Sequence, residues 1–150
     1  RGPALAAHRT EIVVGNTTMS SVTRDLRLRH IIKKQTFPQG EIYAFMKKAD
    51  AFILSSLWED PGFVLIEAAS IETPIISSNC PNGPIEILSN GKGGFLYESN
   101  EVQSFVNTFE KYKSSSENDL REKIIQAKKE AKNYTLFSHY SNLVKVLNNV

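Results

Sequence analysis

The chain has 150 residues, 41% hydrophobic and 23% charged, a size and composition typical of one soluble globular domain. No apolar run approaches the ~18 residues that cross a bilayer, and no charged-then-apolar signal peptide opens the chain. The single Cys80 excludes an internal disulfide, so we expect a cytoplasmic protein with a reduced thiol. Since no histidine lies near Cys80 in the sequence, we do not expect it to be a nucleophile.

The net charge of +2 is unevenly distributed. Residues 1–50 contain nine Lys or Arg against four Asp or Glu, whereas residues 51–150 contain nine against twelve. The simplest interpretation is a solvated basic face, and the alternative is contact with phosphates or an anionic membrane surface. No RNA- or DNA-binding motif accompanies the charge, so we expect no nucleic-acid partner.

Short apolar runs predict the strands of a sheet. Residues 1–10 show neither helical nor strand periodicity and are interpreted as a frayed end or as residues foreign to the domain. The predicted strands are residues 11–15, 30–32, 51–55, 74–78 and 94–97. The third and fourth are apolar without alternation, which is typical of strands buried on both faces.

Helical patterns fill the intervals between these runs. The predicted helices are residues 41–48, 63–71, 84–88, 102–109, 120–131 and, within a C-terminal segment 134–150, 137–147. Asn100 is the expected N-cap of the fourth helix, and Ser116-x-x-Asp119 is a capping signal ahead of the fifth.

Apolar residues at helical spacing are interpreted as core packing. They include Ile42, Phe45 and Met46 in the first helix and Phe137, Tyr140, Val144 and Leu147 in the last. Strands that alternate with helices predict a single α/β domain over residues 1–150, with a mostly parallel sheet covered by helices. In such sheets ligands bind beyond the carboxyl ends of the strands, which points to the loops after residues 15, 55 and 78.

The loop after residue 55 contains two carboxylates, Glu59 and Glu67, eight positions apart around Pro61-Gly62. The proline and glycine predict a turn, so the free N–H groups of residues 62–64 would point out of a helix start that favours phosphate. Carboxylates accept hydrogen bonds from adjacent hydroxyls, and paired acids around an anion site suit a sugar attached to a phosphate.

A structural alternative remains open for this loop. Glu59 or Asp60 would cap the helix, and Glu67 would be an exposed acid early in it. Spacing alone favours this alternative, because two glutamates eight positions apart often occur by chance.

A longer pattern surrounds the two acids. Ala49-Asp50 precedes the strand, and the loop and helix are followed by Thr73-Pro74-Ile75-Ile76-Ser77-Ser78, by Gly83-Pro84-Ile85-Glu86 and by Asn90-Gly91-Lys92-Gly93-Gly94-Phe95-Leu96. Their order and spacing resemble the signature of retaining glycosyltransferases with the GT-B fold (family 4), in the form found in bacterial surface-polysaccharide transferases. The resemblance covers about residues 36–100 and implies the Rossmann-like C-terminal half of a GT-B fold, an open parallel sheet with helices on both faces.

The resemblance implies a role for each matching residue. Glu59 would hold hydroxyls of the donor sugar and is the candidate catalytic residue. The amide of Gly62 would approach the sugar, and those of Phe63 and Val64 the diphosphate. Glu67 would hold the ribose hydroxyls of the nucleotide.

The resemblance also implies the ligands. The donor would be a UDP or GDP sugar bordered by Phe37 and Pro38 at the base, and the acceptor a saccharide or lipid-linked saccharide. Neither a cofactor nor a metal site is expected, and Glu86 matches a position that we interpret as structural. The setting would be bacterial polysaccharide or lipopolysaccharide synthesis, at the cytoplasmic face of the inner membrane.

The chain also departs from the family pattern. Pro61 has no N–H where many members have a donor. The domain's first strand, with the Gly-Arg and Lys that clamp the diphosphate, has no match, and neither has the N-terminal GT-B domain. We therefore expect the isolated chain to lack turnover. The alternatives are a non-catalytic module that binds a nucleotide or a partner, and an unrelated doubly wound domain whose glutamates are structural.

Overall fold

The computed structural model describes the backbone of residues 12–14 and the full chain from residue 42 to 148. The predicted strand at residues 30–32 and the base-adjacent candidates Phe37 and Pro38 lie outside the described residues. The described elements are, in order, β1 (Ile12–Val14), α1 (Ile42–Lys48), β2 (Ala51–Leu54), α2 (Phe63–Ser70), β3 (Ile75–Ser78), α3 (Pro84–Ile87), β4 (Phe95–Tyr97), α4 (Val102–Ser114), α5 (Glu117–Ala131), a 3-10 helix (Lys132–Tyr134) and α6 (Leu136–Asn148).

The four described strands form one parallel sheet in the order β1-β2-β3-β4. Phe52 pairs with Ile75, and Ile76 pairs with Phe95. Each connection between neighbouring strands is a crossover, because parallel neighbours cannot be joined by a hairpin. All four carboxyl ends therefore lie along one edge of the sheet.

Side chains on alternate positions of the strands enter two apolar clusters, one on each face of the sheet. Ala51 and Ile53 of β2 pack in the cluster covered by α4, and Phe52 and Leu54 pack in the cluster covered by α1, α2, α3 and α5. This arrangement confirms the predicted open parallel sheet with helices on both faces.

One predicted helix cap is confirmed and one is wrong. Ser116 and Asp119 form a reciprocal capping box at the start of α5. Asn100 is not the N-cap of α4: that position is Glu101, which makes no side-chain cap. Asn100 instead has φ of 65°, a left-handed conformation that asparagine tolerates, and it forms the turn before the helix.

The prediction that the apolar residues of α1 and α6 pack in the core is wrong in part. Met46 is fully buried, but Phe45 is 37% exposed. In α6, Phe137 and Leu147 are 79% and 64% exposed, and the helix buries no residue. These side chains are exposed because α6 packs mainly against the 3-10 helix and no described element covers its apolar side. None of the helices within residues 42–148 is long and apolar enough to cross a membrane.

The Tyr112 hydroxyl gives the fold a pH dependence. It donates a hydrogen bond to the Asp50 carbonyl oxygen at 2.7 Å, and burial, with a smaller contribution from the Asp50 charge, raises its pKa to about 12. An unfolded tyrosine has a pKa of about 10, so the unfolded chain loses this proton first and stability falls as the pH rises from about 10 toward 12.

Tyr112→Phe is therefore expected to reduce the loss of unfolding free energy between about pH 8 and about pH 11, as measured by urea denaturation. Some loss remains, because burial also raises the pKa of Tyr97. The control is Tyr140→Phe on the exposed side of α6, which should leave the pH dependence unchanged. If Tyr112→Phe and the unmodified chain lost the same unfolding free energy over this pH range, the Tyr112 hydroxyl would not be a source of the pH dependence.

Candidate functional site

Buried hydroxyl groups connect the strands at the carboxyl edge of the sheet. Ser78 at the end of β3 donates to the Ser56 carbonyl oxygen at 2.7 Å, and Tyr97 of β4 donates to the Leu54 carbonyl oxygen at 3.1 Å. Ser56 and Ser78 are both buried. These bonds hold the first residues of the loop that follows β2, so the loop leaves the sheet from a fixed position.

The loops after β2 and β3 are in direct contact. The Glu59 N–H donates to the Pro81 carbonyl oxygen at 3.2 Å. A Cβ atom on Gly83 would lie 2.0 Å from the Pro61 carbonyl oxygen, and Gly83 has φ of 131°. Only glycine permits this approach. The Asp60-Pro61 peptide bond is cis.

The start of α2 leaves its first amides without a side-chain cap. Gly62 is the N-cap, with φ of 81° and ψ of 42°, and no side chain in the described part of the chain caps the helix. Capping by Glu59 or Asp60 is therefore not what the structure shows. The first N–H groups of a helix have no intrahelical partner, and together with the helix dipole they favour an anion.

Glu59 lies directly against the start of α2. A Cβ atom added to Gly62 would lie 3.6 Å from Glu59 Cβ. The Glu59 carboxylate accepts a hydrogen bond from the Ser56 hydroxyl and is partly exposed. It is thus held near the uncapped amides while remaining accessible from solvent.

Glu67 lies one turn into α2 and is also partly exposed. Its Oε1 accepts a hydrogen bond from the Tyr43 hydroxyl of α1 at 2.9 Å. This bond, and then the carboxylate charge, raise the pKa of Tyr43. Sequence reasoning did not identify Tyr43, because it lies 24 positions before Glu67 and no spacing rule connects them.

Cys80 has the surroundings of an unreactive thiol. It is 1% exposed. Burial raises its pKa, a hydrogen bond with Ser78 acts in the opposite sense, and the Glu59 charge raises it further. The thiol therefore stays protonated near neutral pH. Within residues 42–148, no three His, Cys, Asp or Glu side chains are grouped so that they could hold a metal ion.

A cavity of about 500 Å³ lies elsewhere, near the amino end of β4. Lys123, which lines it, donates to the Gly91 and Gly94 carbonyl oxygens at 2.6 and 3.0 Å and lies 4.9 Å from the centre of the Phe95 ring. Burial lowers the pKa of Lys123. We interpret this lysine as a structural cation that holds the turn before β4, since its hydrogen bonds go to the backbone.

The chain belongs to the family described as glycosyl transferases group 1, whose model matches residues 12–131. This match confirms the resemblance found in the sequence. It includes the whole carboxyl edge of the sheet and the loop and helix that contain Glu59 and Glu67.

Two curated relatives are galactosyltransferases. A UDP-Gal:alpha-D-GlcNAc-diphosphoundecaprenol alpha-1,3-galactosyltransferase of Escherichia coli is 39% identical over 69 residues, which are 46% of this chain and 18% of that protein. A lipopolysaccharide 1,6-galactosyltransferase of Escherichia coli strain K12 is 32% identical over 78 residues, which are 52% of this chain and 22% of the relative. The matched part of the chain spans about a fifth of the length of each relative.

A solved structure shares the fold. The crystal structure of a glycosyltransferase from Rickettsia africae ESF-5 matches 81% of this chain and 32% of its own, with a TM-score of 0.65 and 18% identity. At that identity the likeness concerns the fold alone, and the fold of this chain is Rossmann-like.

Proposed function

We propose that this chain is the donor-binding domain of a retaining glycosyltransferase, which moves a sugar from a UDP or GDP sugar to a saccharide or lipid-linked acceptor. The observation that carries the proposal is the uncapped start of α2 with Glu59 on one side and Glu67 one turn further. Membership of a glycosyltransferase family makes a sugar nucleotide the natural ligand for that arrangement.

In this proposal the amides bind the diphosphate. The N–H groups of Phe63 and Val64 lie in the first turn of α2, where the helix dipole favours negative charge. The Gly62 amide, at the left-handed turn before them, approaches the sugar. Pro61 contributes no donor, so the hydrogen-bond donors of this turn begin with the Gly62 amide.

The two acids divide the remaining recognition. Glu59, held by Ser56 beside Gly62, accepts hydrogen bonds from hydroxyls of the donor sugar. Glu67 accepts them from the ribose hydroxyls. Catalysis then rests on orienting the donor and on stabilising the departing diphosphate, and Glu59 is the proposed catalytic residue.

The proposed acceptor and setting follow from the relatives. Their names specify transfer to a diphosphoundecaprenol-linked sugar and to lipopolysaccharide. Bacterial polysaccharide or lipopolysaccharide synthesis at the cytoplasmic face of the inner membrane is the corresponding proposal for this chain. The second GT-B domain is the proposed partner for the apolar side of α6, where Phe137 and Leu147 are exposed.

The experiment is a comparison of donors by ligand-observed NMR with the 150-residue chain. We expect saturation transfer from the protein to both the nucleotide and the sugar protons of UDP-galactose or of a GDP sugar, with competition by the matching nucleoside diphosphate. Absence of transfer to every nucleotide sugar tested would overturn the donor-binding assignment. In a two-domain enzyme that contains this chain, retention predicts that galactose transferred from UDP-galactose to a GlcNAc-diphosphate-lipid acceptor keeps the α configuration of the donor, as its anomeric proton coupling would show.

A further inference from the structure

Tyr43 connects α1 to the proposed donor site. Its hydroxyl donates to Glu67 Oε1 at 2.9 Å, and its side chain is 45% exposed. The contact joins two helices on the same face of the sheet, and it reaches one of the two acids of the site rather than a distant surface carboxylate.

The geometry leaves Glu67 free to bind a ligand. A carboxylate has about four acceptor positions, and the Tyr43 hydroxyl occupies one of them on Oε1. Within the described part of the chain the Tyr43 hydroxyl is the one hydrogen-bond partner of this carboxylate, so the second lone pair of Oε1 and both lone pairs of Oε2 are available there for a pair of adjacent hydroxyls. Tyr43 therefore fixes the carboxylate without blocking it.

We propose that Tyr43 is a positioning residue that holds the Glu67 carboxylate for the 2′ and 3′ hydroxyls of a nucleotide ribose. The proposal rests on the proposed function, in which Glu67 binds ribose. A free glutamate side chain loses rotamer freedom when a ligand binds, whereas a glutamate already held by tyrosine has less to lose. Removing the phenol oxygen should then weaken nucleotide binding by about three- to tenfold.

A purely structural contact between α1 and α2 predicts a different result. It would change the stability of the chain, and any effect on affinity would be the same for every nucleotide. A positioning contact changes affinity only for ligands that have the hydroxyls Glu67 accepts from. Nucleotides with and without those hydroxyls therefore separate the two roles.

The experiment measures the Kd of Tyr43→Phe and of the unmodified chain by NMR titration. The ligands are the more tightly bound of UDP and GDP, and its 2′,3′-dideoxy form. We expect Tyr43→Phe to bind the ribonucleotide about three- to tenfold more weakly and the dideoxy form with unchanged Kd. In a Glu67→Ala background, Tyr43→Phe should have no further effect.

The matched control is Tyr134→Phe, which removes another phenol that donates to a glutamate, here Glu86 at 3.1 Å. It should leave both Kd values unchanged. An equal effect of Tyr43→Phe on both nucleotides, or no effect on either, would overturn the positioning role while leaving the proposed function intact. If the unmodified chain binds neither nucleotide, or if Glu67→Ala leaves the ribonucleotide Kd unchanged, the ribose assignment fails and the role of Tyr43 fails with it.

Discussion

Gly83→Ala is expected to lower the free energy of unfolding by about 3 kcal/mol or more, because it combines backbone strain with overpacking. The new Cβ would lie 2.0 Å from the Pro61 carbonyl oxygen, and φ of 131° is unfavourable for any L side chain. The neighbouring atom belongs to the backbone, so it cannot move aside as a flexible side chain would. The loop that contains Pro61 leads directly into α2, and its displacement should also abolish donor binding.

Gly91→Ala is the matched control for this prediction. Gly91 also has a positive φ, of 85°, but the nearest atoms to its added Cβ are 3.9 Å away. Gly91→Ala should lower the free energy of unfolding only by the cost of the left-handed backbone conformation, about 1–2 kcal/mol, and should keep donor binding. Urea denaturation of both variants measures the difference. Equal losses would show that the contact between Gly83 and Pro61 is not the constraint that the structure indicates.

Glu67→Ala is expected to weaken binding of the nucleoside diphosphate and of the nucleotide sugar alike, by about ten- to a hundredfold, because it removes hydrogen bonds to a charged acceptor. Glu59→Ala is expected to weaken nucleotide-sugar binding by a similar factor and to change nucleotide binding little. The difference follows from their positions, since Glu59 lies beside the Gly62 turn and Glu67 lies further along the helix.

Isothermal titration calorimetry of each variant measures the Kd of UDP and of UDP-galactose, or of GDP and a GDP sugar, and so tests this division of roles. Glu110→Ala on α4 removes an exposed carboxylate and should leave both affinities unchanged. If Glu59→Ala and Glu67→Ala had the same effect on both ligands, the assignment of sugar to one acid and ribose to the other would be wrong.

Patterns within a single element predicted most of the fold. The unbroken apolar run of β2 indicated burial on both faces, and its side chains do enter both clusters. The cap of α5 depends only on Ser116 and Asp119, three positions apart, and was predicted for the same reason. Local periodicity and local capping are set by neighbours in the chain, so the sequence displays them directly.

Features that depend on distant partners were harder to predict. The periodicity of α6 marks an apolar side but not what covers it. It therefore predicts that Phe137 is buried, whereas no described element covers this side chain. The Tyr43–Glu67 contact depends on how α1 and α2 pack, and the Gly83–Pro61 approach depends on two loops. The proposed roles of Glu59 and Glu67 rest on family resemblance, because their spacing alone favours a structural interpretation.

A ¹H–¹⁵N NMR titration of the 150-residue chain with UDP-galactose and with a GDP sugar tests whether the start of α2 is the donor site. We predict that at least one donor shifts the amide signals of residues 62–64 and of Glu67 most strongly. The matching nucleoside diphosphate alone should shift the signals of Phe63, Val64 and Glu67. If the amide signals of residues 62–67 did not shift, whether the largest shifts lay around Lys123 or no signal shifted at all, the start of α2 would not be the donor site.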